Sequence, residues 1–502
     1  MSKDSVTRGV FAMVPSLLHA SACTLLTVLT RGPSAITAAV STRQNRSKGP
    51  ARSRRVATQE PWQTPSIVMP FLGIFTLALA ARVLFVFFVP GYHSAVGLDN
   101  YDSMARGIVA GKGLLDLGGQ HTAYRAPLYP LFLAAIYRIA GYRPEMVWVV
   151  QCVIGAATAG LTFVLARAFF SQRFSWLAGL VAAVYPPLLL SCGTLLSETL
   201  FTFLFLAALC TLAGNLWELT LRRAVVAGAL LGLASLTRPI AFFFPFAVAA
   251  GMVFVSLLRR GRWQILAPVC FMACFLLVLA PWAVRNARVL GSPVLTTTEG
   301  GSSLWIGWHP DRRGFGFNIN EKLVAFLNQA GVTGELQVNR FLDRACTREI
   351  ASQPTRFLAL ALLKVGWFFN TFDGEDYGLG TRYNLPCALV LTLSILGMVL
   401  GRRLEGMALL VGTIAYFVLF AAILYGVPRF RIPLEPVLIA LAVVGLESVV
   451  KMPMGHRRLW SAGICAIVLL NVGIALSADS MREQIKSILE GTVGYKSYFG
   501  GP

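Results

Sequence analysis

The chain has 502 residues, of which 56% are hydrophobic and 13% are charged, whereas a typical soluble domain carries about 25% charged residues. This composition predicts an all-α integral membrane protein and argues against a soluble nucleotide-sugar enzyme. The formal net charge is +21. It does not predict a nucleic-acid partner, because many basic residues lie in short turns between apolar runs, as the positive-inside rule requires.

The N-terminal segment, residues 1–67, is rich in Ser, Thr and Arg. Its basic cluster RQNRSKGPARSRR is typical of an anchor on the inner side of a membrane. We therefore expect a poorly ordered, basic cytoplasmic tail. A weaker apolar run at 10–30 leaves an extra span or a targeting segment as alternatives.

Apolar runs that predict membrane-spanning helices recur through the rest of the chain. About 20 apolar residues in a helix cross a bilayer core that is roughly 30 Å thick. The runs lie at about 68–90, 145–170, 176–196, 199–217, 225–236, 240–258, 265–282, 386–400, 407–425, 434–450 and 461–477. We predict about eleven spans, with twelve as the alternative, in the inner (plasma) membrane, and basic turns on the inner side.

By this count, two long polar segments lie on the outer side. The first is the loop 91–144, which belongs to a predicted transmembrane catalytic module at 68–282. The second, 283–385, is predicted to be a small outside domain, α/β or irregular, with a helix at 335–352 and an interfacial amphipathic helix near its end. The remaining spans are assigned to 386–478 and a C-terminal tail to 479–502.

The outer loop after the first span carries two acids, Asp99 and Asp102, three residues apart. At the start of a helix this spacing would put both carboxylates on one face. One of them could act as general base on a hydroxyl while the other orients it. The structural alternative is that Asp99 caps the helix and Asp102 stabilises its dipole.

Several arginines also lie on the outer side, where the positive-inside rule does not explain them. Arg125 lies in YRAPLYP, and Arg429 and Arg431 alternate in VPRFRIP. An extended VPRFRIP segment would point both of its arginines to one side. Because a guanidinium offers a fixed fork of donors to an oxyanion, we predict that these residues bind a phosphate. The alternative for Arg125 is a snorkelling side chain at the membrane surface.

Other candidate site residues lie on the same side. Glu198 ends the third run in an apolar setting, where ionisable groups are costly and usually functional. Arg238 could pair with Glu198 or contact a phosphate. Trp305 and Trp308 could line an acceptor groove with Tyr124, although packing in the outside domain and at the headgroup level explains these aromatic residues equally well.

No metal site is predicted. The nine cysteines show no CxxC spacing and lie mostly in or beside apolar runs, which is typical of small core residues. His121 stands alone in a glycine-rich loop, where a histidine is usually solvated. Dependence on a divalent cation stays open.

Six stretches of the chain resemble, in order, the GT-C superfamily of integral-membrane glycosyltransferases. The resemblance is to the branch with protein O-mannosyltransferases and lipid A aminoarabinose transferases, and within it to the bacterial RgtA/B/C/D-like group. The stretches are LDNYDSMARGIVAGKG, YRAPLYPLFLAAIYRIAG, LLSETLF, AGALLGLASLTRP, PWAVRNARVLGSPVLTTTEGGSSLWIGWHP and VPRFRIPLEP. Together they run from about residue 97 to 436.

This resemblance implies an inverting transfer of a hexosyl or pentosyl group from a polyprenyl-phosphate donor. The acceptor would be a hydroxyl of a lipid, glycan or protein at the outer or periplasmic face. The resemblance implies an acid of the first outside loop as general base, which matches Asp99 first and Asp102 second, with Glu198 as a further acid near the acceptor. The arginines assigned to the donor phosphate are Arg125, Arg238, Arg429 and Arg431.

A transporter or flippase that handles polyprenyl lipids without transferring the sugar is the alternative. A secondary transporter predicts internal repeats and ionisable groups near the bilayer midplane. This sequence shows no convincing repeat, and its outer charges cluster at one face. A flippase would bind the same lipid, so only transfer of the sugar distinguishes it from a transferase.

Overall fold

The computed structural model describes residues 67–89, 99–214, 219–258, 265–308, 321–373, 382–400 and 404–455, with five further residues between 462 and 469. The described residues are almost entirely helical. The predicted tails at 1–66 and 479–502 lie outside the described residues, as does most of the run predicted at 461–477.

Helices follow one another with short connections. In the first half they are α1 (Val68–Phe88), α2 (Tyr101–Val109), α3 (Leu128–Ala140), α4 (Pro144–Phe169), α5 (Gln172–Val184), α6 (Pro186–Leu190), α7 (Glu198–Leu212), α8 (Leu221–Thr237), α9 (Phe244–Leu258) and α10 (Leu266–Leu290). In the second half they are α11 (Gly300–Trp308), α12 (Glu321–Gln329), α13 (Glu335–Ser352), α14 (Pro354–Phe368), α15 (Leu385–Leu400), α16 (Leu404–Ile423) and α17 (Glu435–Val450). Three 3₁₀ turns (Ser191–Gly193, Pro239–Ala241, Pro428–Leu434) and a ribbon of β1 (Phe372–Asp373) with β2 (Arg382–Tyr383) complete the described elements.

Four described helices are long and apolar enough to cross a membrane, namely α1, α4, α10 and the segment Pro428–Val450 that contains α17. A bent pair, Gln172–Val184 with Pro186–Gly193, meets the same test as one unit with a bend of 51°. Shorter apolar helices occupy several of the other predicted runs. Helices thus lie where apolar runs predict them, while the count of about eleven spans stays a prediction.

The bend between α5 and α6 differs from the straight span predicted at 176–196. Pro186 disfavours helical backbone in the residue before it, so α5 ends at Val184. The carbonyls freed at this end need donors, because no water reaches them in a membrane. Arg82 of α1, which is fully buried, donates to the carbonyl oxygens of Ala183 at 2.9 Å and Ala182 at 3.2 Å.

The segment predicted as an α/β or irregular outside domain is helical in its described part, apart from the short β1–β2 ribbon. The predicted helix at 335–352 is present as α13. Its apolar residues Leu342 and Cys346, one helical turn apart, are buried in a small core with Trp305 and Leu323. Helical spacing of the apolar residues explains why helices, rather than strands, form here.

The predicted interfacial helix is present as α14, but its lysine is not solvated. Lys364 is fully buried and donates to the carbonyl oxygens of Ile423 and Leu424 at the end of α16, at 3.3 and 3.0 Å. Its ammonium also lies 3.7 Å from the centre of the Trp308 ring. These contacts fix α14 and α11 against the end of α16, while the interfacial placement of α14 stays a prediction.

Candidate functional site

The two acids of the first outer loop are separated by the start of a helix. Asn100 has left-handed backbone with φ 61°, and α2 begins at the next residue. Because this conformation turns the chain sharply, Asp99 lies before the helix while Asp102 lies within its first turn. The prediction that both carboxylates share one helix face is therefore wrong.

Asp102 holds α2 against α3 and the residue that follows it. Its buried carboxylate accepts from the hydroxyl of Tyr137 at 2.8 Å and that of Tyr142 at 3.3 Å. Arg106, one helical turn further along α2, contacts it at 3.0 Å. These contacts indicate that Asp102 anchors its helix.

Asp99 is gripped by two arginines from distant parts of the chain. Arg125, just before α3, donates to Oδ1 at 2.9 Å, and Arg429, in the last 3₁₀ turn, donates to Oδ2 at 2.7 Å. Only 15% of the Asp99 side chain is exposed. Both carboxylate oxygens are thus bound by guanidinium groups that were predicted to bind phosphate.

The ion pairs continue on both sides of Asp99. Arg429 also contacts Oε1 of Glu198, and Arg238 contacts the same oxygen at 2.6 Å. On the other side, Arg125 contacts Oε1 of Glu299 at 2.7 Å. Three acids therefore alternate with three arginines. The members of this charged cluster are, in spatial order, Arg238, Glu198, Arg429, Asp99, Arg125 and Glu299.

Electrostatics within the charged cluster keep Asp99 ionised. Burial raises the pKa of its carboxyl, but the positive charges of Arg429 and Arg125 outweigh burial and lower the pKa to about 2. Burial conversely lowers the pKa of Arg125, while Glu299 and Asp99 raise it well above its ordinary value. Asp99 is therefore an anion at every physiological pH, and its basicity depends on where the two arginines point.

Helix ends and short connections supply the members of the cluster. Glu198 is the first residue of α7, and Arg238 directly follows the last residue of α8. Glu299 directly precedes α11. Helix ends are suitable because charged side chains can meet there while the apolar lengths of the same helices pack together.

Arg431 has partners of its own, away from the charged cluster. It donates to Glu435 at 2.6 Å, to the carbonyl oxygens of Phe368 and Asn370 at 2.6 and 2.9 Å, and to the sulfur of Cys387 at 2.8 Å. The prediction that Arg429 and Arg431 point to one side is wrong. The segment is a 3₁₀ turn with three residues per turn, so residues two apart diverge by roughly 120°.

The predicted groove aromatics separate into two groups. The Trp305 ring stacks on Phe326, with ring centres 5.1 Å apart, and the Trp308 ring stacks on Phe357 at 4.3 Å. Both tryptophans are buried, as the packing alternative expects. Tyr124, in contrast, lies against the charged cluster, with the Arg125 guanidinium 5.3 Å from its ring centre. Burial raises the pKa of its hydroxyl to about 12, which keeps it a neutral donor.

Two acids in and around the site were not predicted from the sequence. Glu299 completes the charged cluster, and Glu335, the first residue of α13, joins the segments on either side. Glu335 accepts from the Thr122 hydroxyl at 2.6 Å, the Ala123 amide at 2.9 Å and the Thr298 hydroxyl at 2.5 Å. Their position on the predicted outer side was the one available signal. No group of His, Cys, Asp or Glu in the described part of the chain is arranged to hold a metal ion.

Comparisons with known proteins give one family match. Residues 124–284 match the family described as dolichyl-phosphate-mannose-protein mannosyltransferase. No curated protein matches the chain. The matched stretch begins at Tyr124 and includes Arg125, Glu198 and Arg238 of the charged cluster.

Solved structures show weaker similarity. The chain is 17% identical to the oligosaccharyltransferase AglB of Archaeoglobus fulgidus in complex with an inhibitory peptide and a dolichol-phosphate, over 81% of this chain and 54% of that one, with a TM-score of 0.47. A second structure of an oligosaccharyltransferase from that organism, tethered to an acceptor peptide, gives 16% identity, 86% and 56% coverage and 0.46. The chain thus spans about half the length of these proteins.

ArnT from Cupriavidus metallidurans in the apo state is 14% identical, with 76% of this chain and 77% of that one covered and a TM-score of 0.35. The family match at residues 124–284 is the finding that bears on identity, because it includes motifs on which the predicted resemblance rests. The resemblance of this chain to the GT-C superfamily of membrane glycosyltransferases is thereby confirmed.

Proposed function

We propose that the chain is an inverting glycosyltransferase. It moves a sugar from a polyprenyl-phosphate donor to a hydroxyl of a lipid, glycan or protein at the outer face of the inner membrane. The observation that carries this proposal is the Asp99 carboxylate, bound on both oxygens by arginines from distant segments. A base and the cations for a leaving phosphate then lie within one hydrogen bond of each other.

Asp99 is the general base of this reaction. The acceptor hydroxyl gives its proton to the carboxylate while its oxygen attacks the anomeric carbon. The bond from that carbon to the phosphate oxygen breaks on the opposite face, and polyprenyl phosphate leaves with the bonding electrons. Such proton transfer typically contributes 10²–10⁴-fold to a rate.

Arg125, Arg429 and Arg238 bind the donor phosphate. Their guanidinium groups contact carboxylates in the free protein, so the incoming phosphate takes over a donor that a carboxylate held. This exchange removes positive charge from Asp99 and raises the pKa of its carboxyl, which makes it a stronger base only when the donor is present. Phosphate binding and activation of the base are therefore linked.

Glu198 assists from the inner end of the cluster. Its Oε2 is buried and has no hydrogen-bond partner among the described residues. A buried carboxylate oxygen without a donor is costly, so it is suited to accept from a sugar or acceptor hydroxyl when substrates bind. Glu299, at the outer end, holds Arg125 in position.

The nature of the donor is supported by the family description, which names a dolichyl-phosphate sugar. The apolar helices support a membrane location, in which a polyprenyl chain would lie beside the bundle with its phosphate at the surface. The sugar and the class of acceptor belong to the test of the proposal.

Purified full-length chain in proteoliposomes with labelled polyprenyl-phosphate sugar and a membrane extract as acceptor source tests the proposed function. We expect the label to move from the lipid to an acceptor with inversion at the anomeric carbon. Movement of intact donor across the bilayer, with the bond between sugar and phosphate unbroken in every extract, would identify a flippase and contradict the proposal.

A further inference from the structure

We propose that one face of α13 is a binding site for an elongated anionic molecule, the acceptor itself. The site consists of Arg340, Arg344 and Arg348, which we call the arginine face. The word acceptor rests on the proposed transferase function, whereas the binding of an anion does not. The ligand class is a molecule that carries two or more phosphate or carboxylate groups.

The arginine face lines a concave surface. Arg340, Arg344 and Arg348 follow at intervals of four residues, so all three lie along one side of the helix. Together with Val332, Gln337 and Phe341 they line a cavity of about 400 Å³. The opposite side of α13 is buried through Leu342 and Cys346. The helix is thus fixed by one side and presents its cations on the other.

Nothing in the described part of the chain neutralises these three charges. None of the three arginines forms an ion pair with a described residue, whereas Glu349 of the same helix contacts Arg356 at 3.1 Å. A solvated helix face usually mixes both signs, because like charges one turn apart repel. Three cations around one cavity that also has apolar walls favour a bound polyanion over plain solvation.

The arginine face begins close to the charged cluster. Glu335, at the start of α13, binds Thr122 and Thr298, which lie next to the segments that carry Arg125 and Glu299. At 1.5 Å per residue, Arg340 lies about 8 Å further along the helix axis and Arg348 about 20 Å. A molecule bound along the arginine face could therefore extend one end toward Asp99, with its anionic groups spaced by about 6 Å.

Isothermal titration of sodium tripolyphosphate into the purified full-length chain, in nanodiscs of uncharged lipid, tests this site without any transferase assay. The test variant is R340Q/R344Q/R348Q. The matched control is R138Q/R143Q/R288Q, which removes the same charge from exposed arginines that form no ion pair with a described residue. Thermal unfolding in the same discs checks that both variants fold.

We expect the test variant to bind tripolyphosphate about tenfold more weakly or worse, the effect of losing charge-assisted hydrogen bonds to an anion, while the control stays within about twofold of wild type. Equal binding by all three proteins, or equal loss in both variants, would overturn the proposal.

A second arm repeats the titration in nanodiscs that contain phosphatidylglycerol. Tripolyphosphate binding that persists there supports a site for a discrete ligand. If anionic lipid reduces binding by the wild-type chain to the level of the test variant, the arginine face contacts lipid headgroups and the assignment to an acceptor is overturned. Sugar transfer plays no part in either arm, so failure of this proposal and failure of the proposed function are distinguishable.

Discussion

Arg429 and Arg431 are two residues apart but differ in what they contact. Arg429 bridges Asp99 and Glu198, while Arg431 is enclosed by Glu435, two backbone carbonyls and a cysteine. Arginines with carboxylate partners at a reactive site can exchange them for phosphate. An arginine that satisfies backbone carbonyls at the base of a turn holds the fold.

We therefore expect Arg429→Gln to raise the KM for the donor and lower kcat/KM by about 10²-fold or more, because a charge-assisted contact to the leaving phosphate is lost. Its folding should change little. Initial rates over a range of donor concentrations measure the effect. An unchanged donor KM and rate would remove Arg429 from the phosphate site.

Arg431→Gln should instead lower stability, by about 3–5 kcal/mol, because it leaves Glu435 as an uncompensated buried charge. Thermal unfolding of the purified variant in detergent measures this loss. A variant that unfolds like wild type but fails to bind the donor would return Arg431 to the predicted phosphate site.

The pKa of Asp99 yields a prediction on pH dependence. In the free protein Arg429 and Arg125 hold the pKa at about 2, and donor phosphate that draws these arginines away lets the pKa rise. The profile of kcat/KM reports the free protein and that of kcat reports the complex. The acid limb due to Asp99 should therefore lie at higher pH in kcat than in kcat/KM. Coincident limbs, or the reverse order, would contradict the exchange of arginine partners.

The helices themselves could largely be predicted from the sequence, since each long apolar run must satisfy its backbone internally within a membrane. The bend after α5 and the 3₁₀ turn at Pro428–Leu434 were not predicted, because they depend on prolines whose effect is decided by neighbouring helices. The ranked order of Asp99 before Asp102 was a prediction from resemblance, and their separation comes from one left-handed residue, Asn100.

Partners within the charged cluster could not be read from the sequence, because they join residues up to 330 positions apart. Grouping by predicted side of the membrane brought Asp99, Arg125, Glu198 and Arg429 together correctly. It failed for Arg431, whose direction depends on local backbone geometry. Glu299 lay on the same side with no motif to single it out.

Packing of α15 against α17 depends on backbone contact at glycine. A side chain on Gly397 would lie 2.1 Å from the carbonyl oxygen of Leu441, whereas nothing lies within 4 Å of a side chain on Gly412 in α16. Gly397→Ala should therefore destabilise the chain by about 1–3 kcal/mol through overpacking. Gly412→Ala should be neutral or slightly stabilising, because alanine favours helix. Thermal unfolding in detergent compares them; equal midpoints would show that the two helices can separate at no cost.

The whole molecule brings the acids and arginines to one place only if the loop that carries Asp99 faces outward. Leu117 is exposed within this loop, and Arg173 is exposed in a turn predicted to lie inside. We expect Leu117→Cys to react with a membrane-impermeant maleimide in intact cells, after subtraction of labelling in the parent chain. Arg173→Cys should react only once the membrane is permeabilised. The opposite pattern would reverse the orientation and contradict transfer at the outer face.

The most direct test of the whole account is single-turnover sugar transfer by purified Asp99→Asn beside Asp102→Asn. Asparagine keeps the shape of each side chain but cannot accept the proton. With Asp99 as base, transfer by Asp99→Asn should fall by about 10²–10⁴-fold, with the donor still bound. Asp102→Asn, whose site is an anchor on Tyr137 and Tyr142, should keep most of its activity and lose stability instead. Wild-type rates from Asp99→Asn would contradict the central claim.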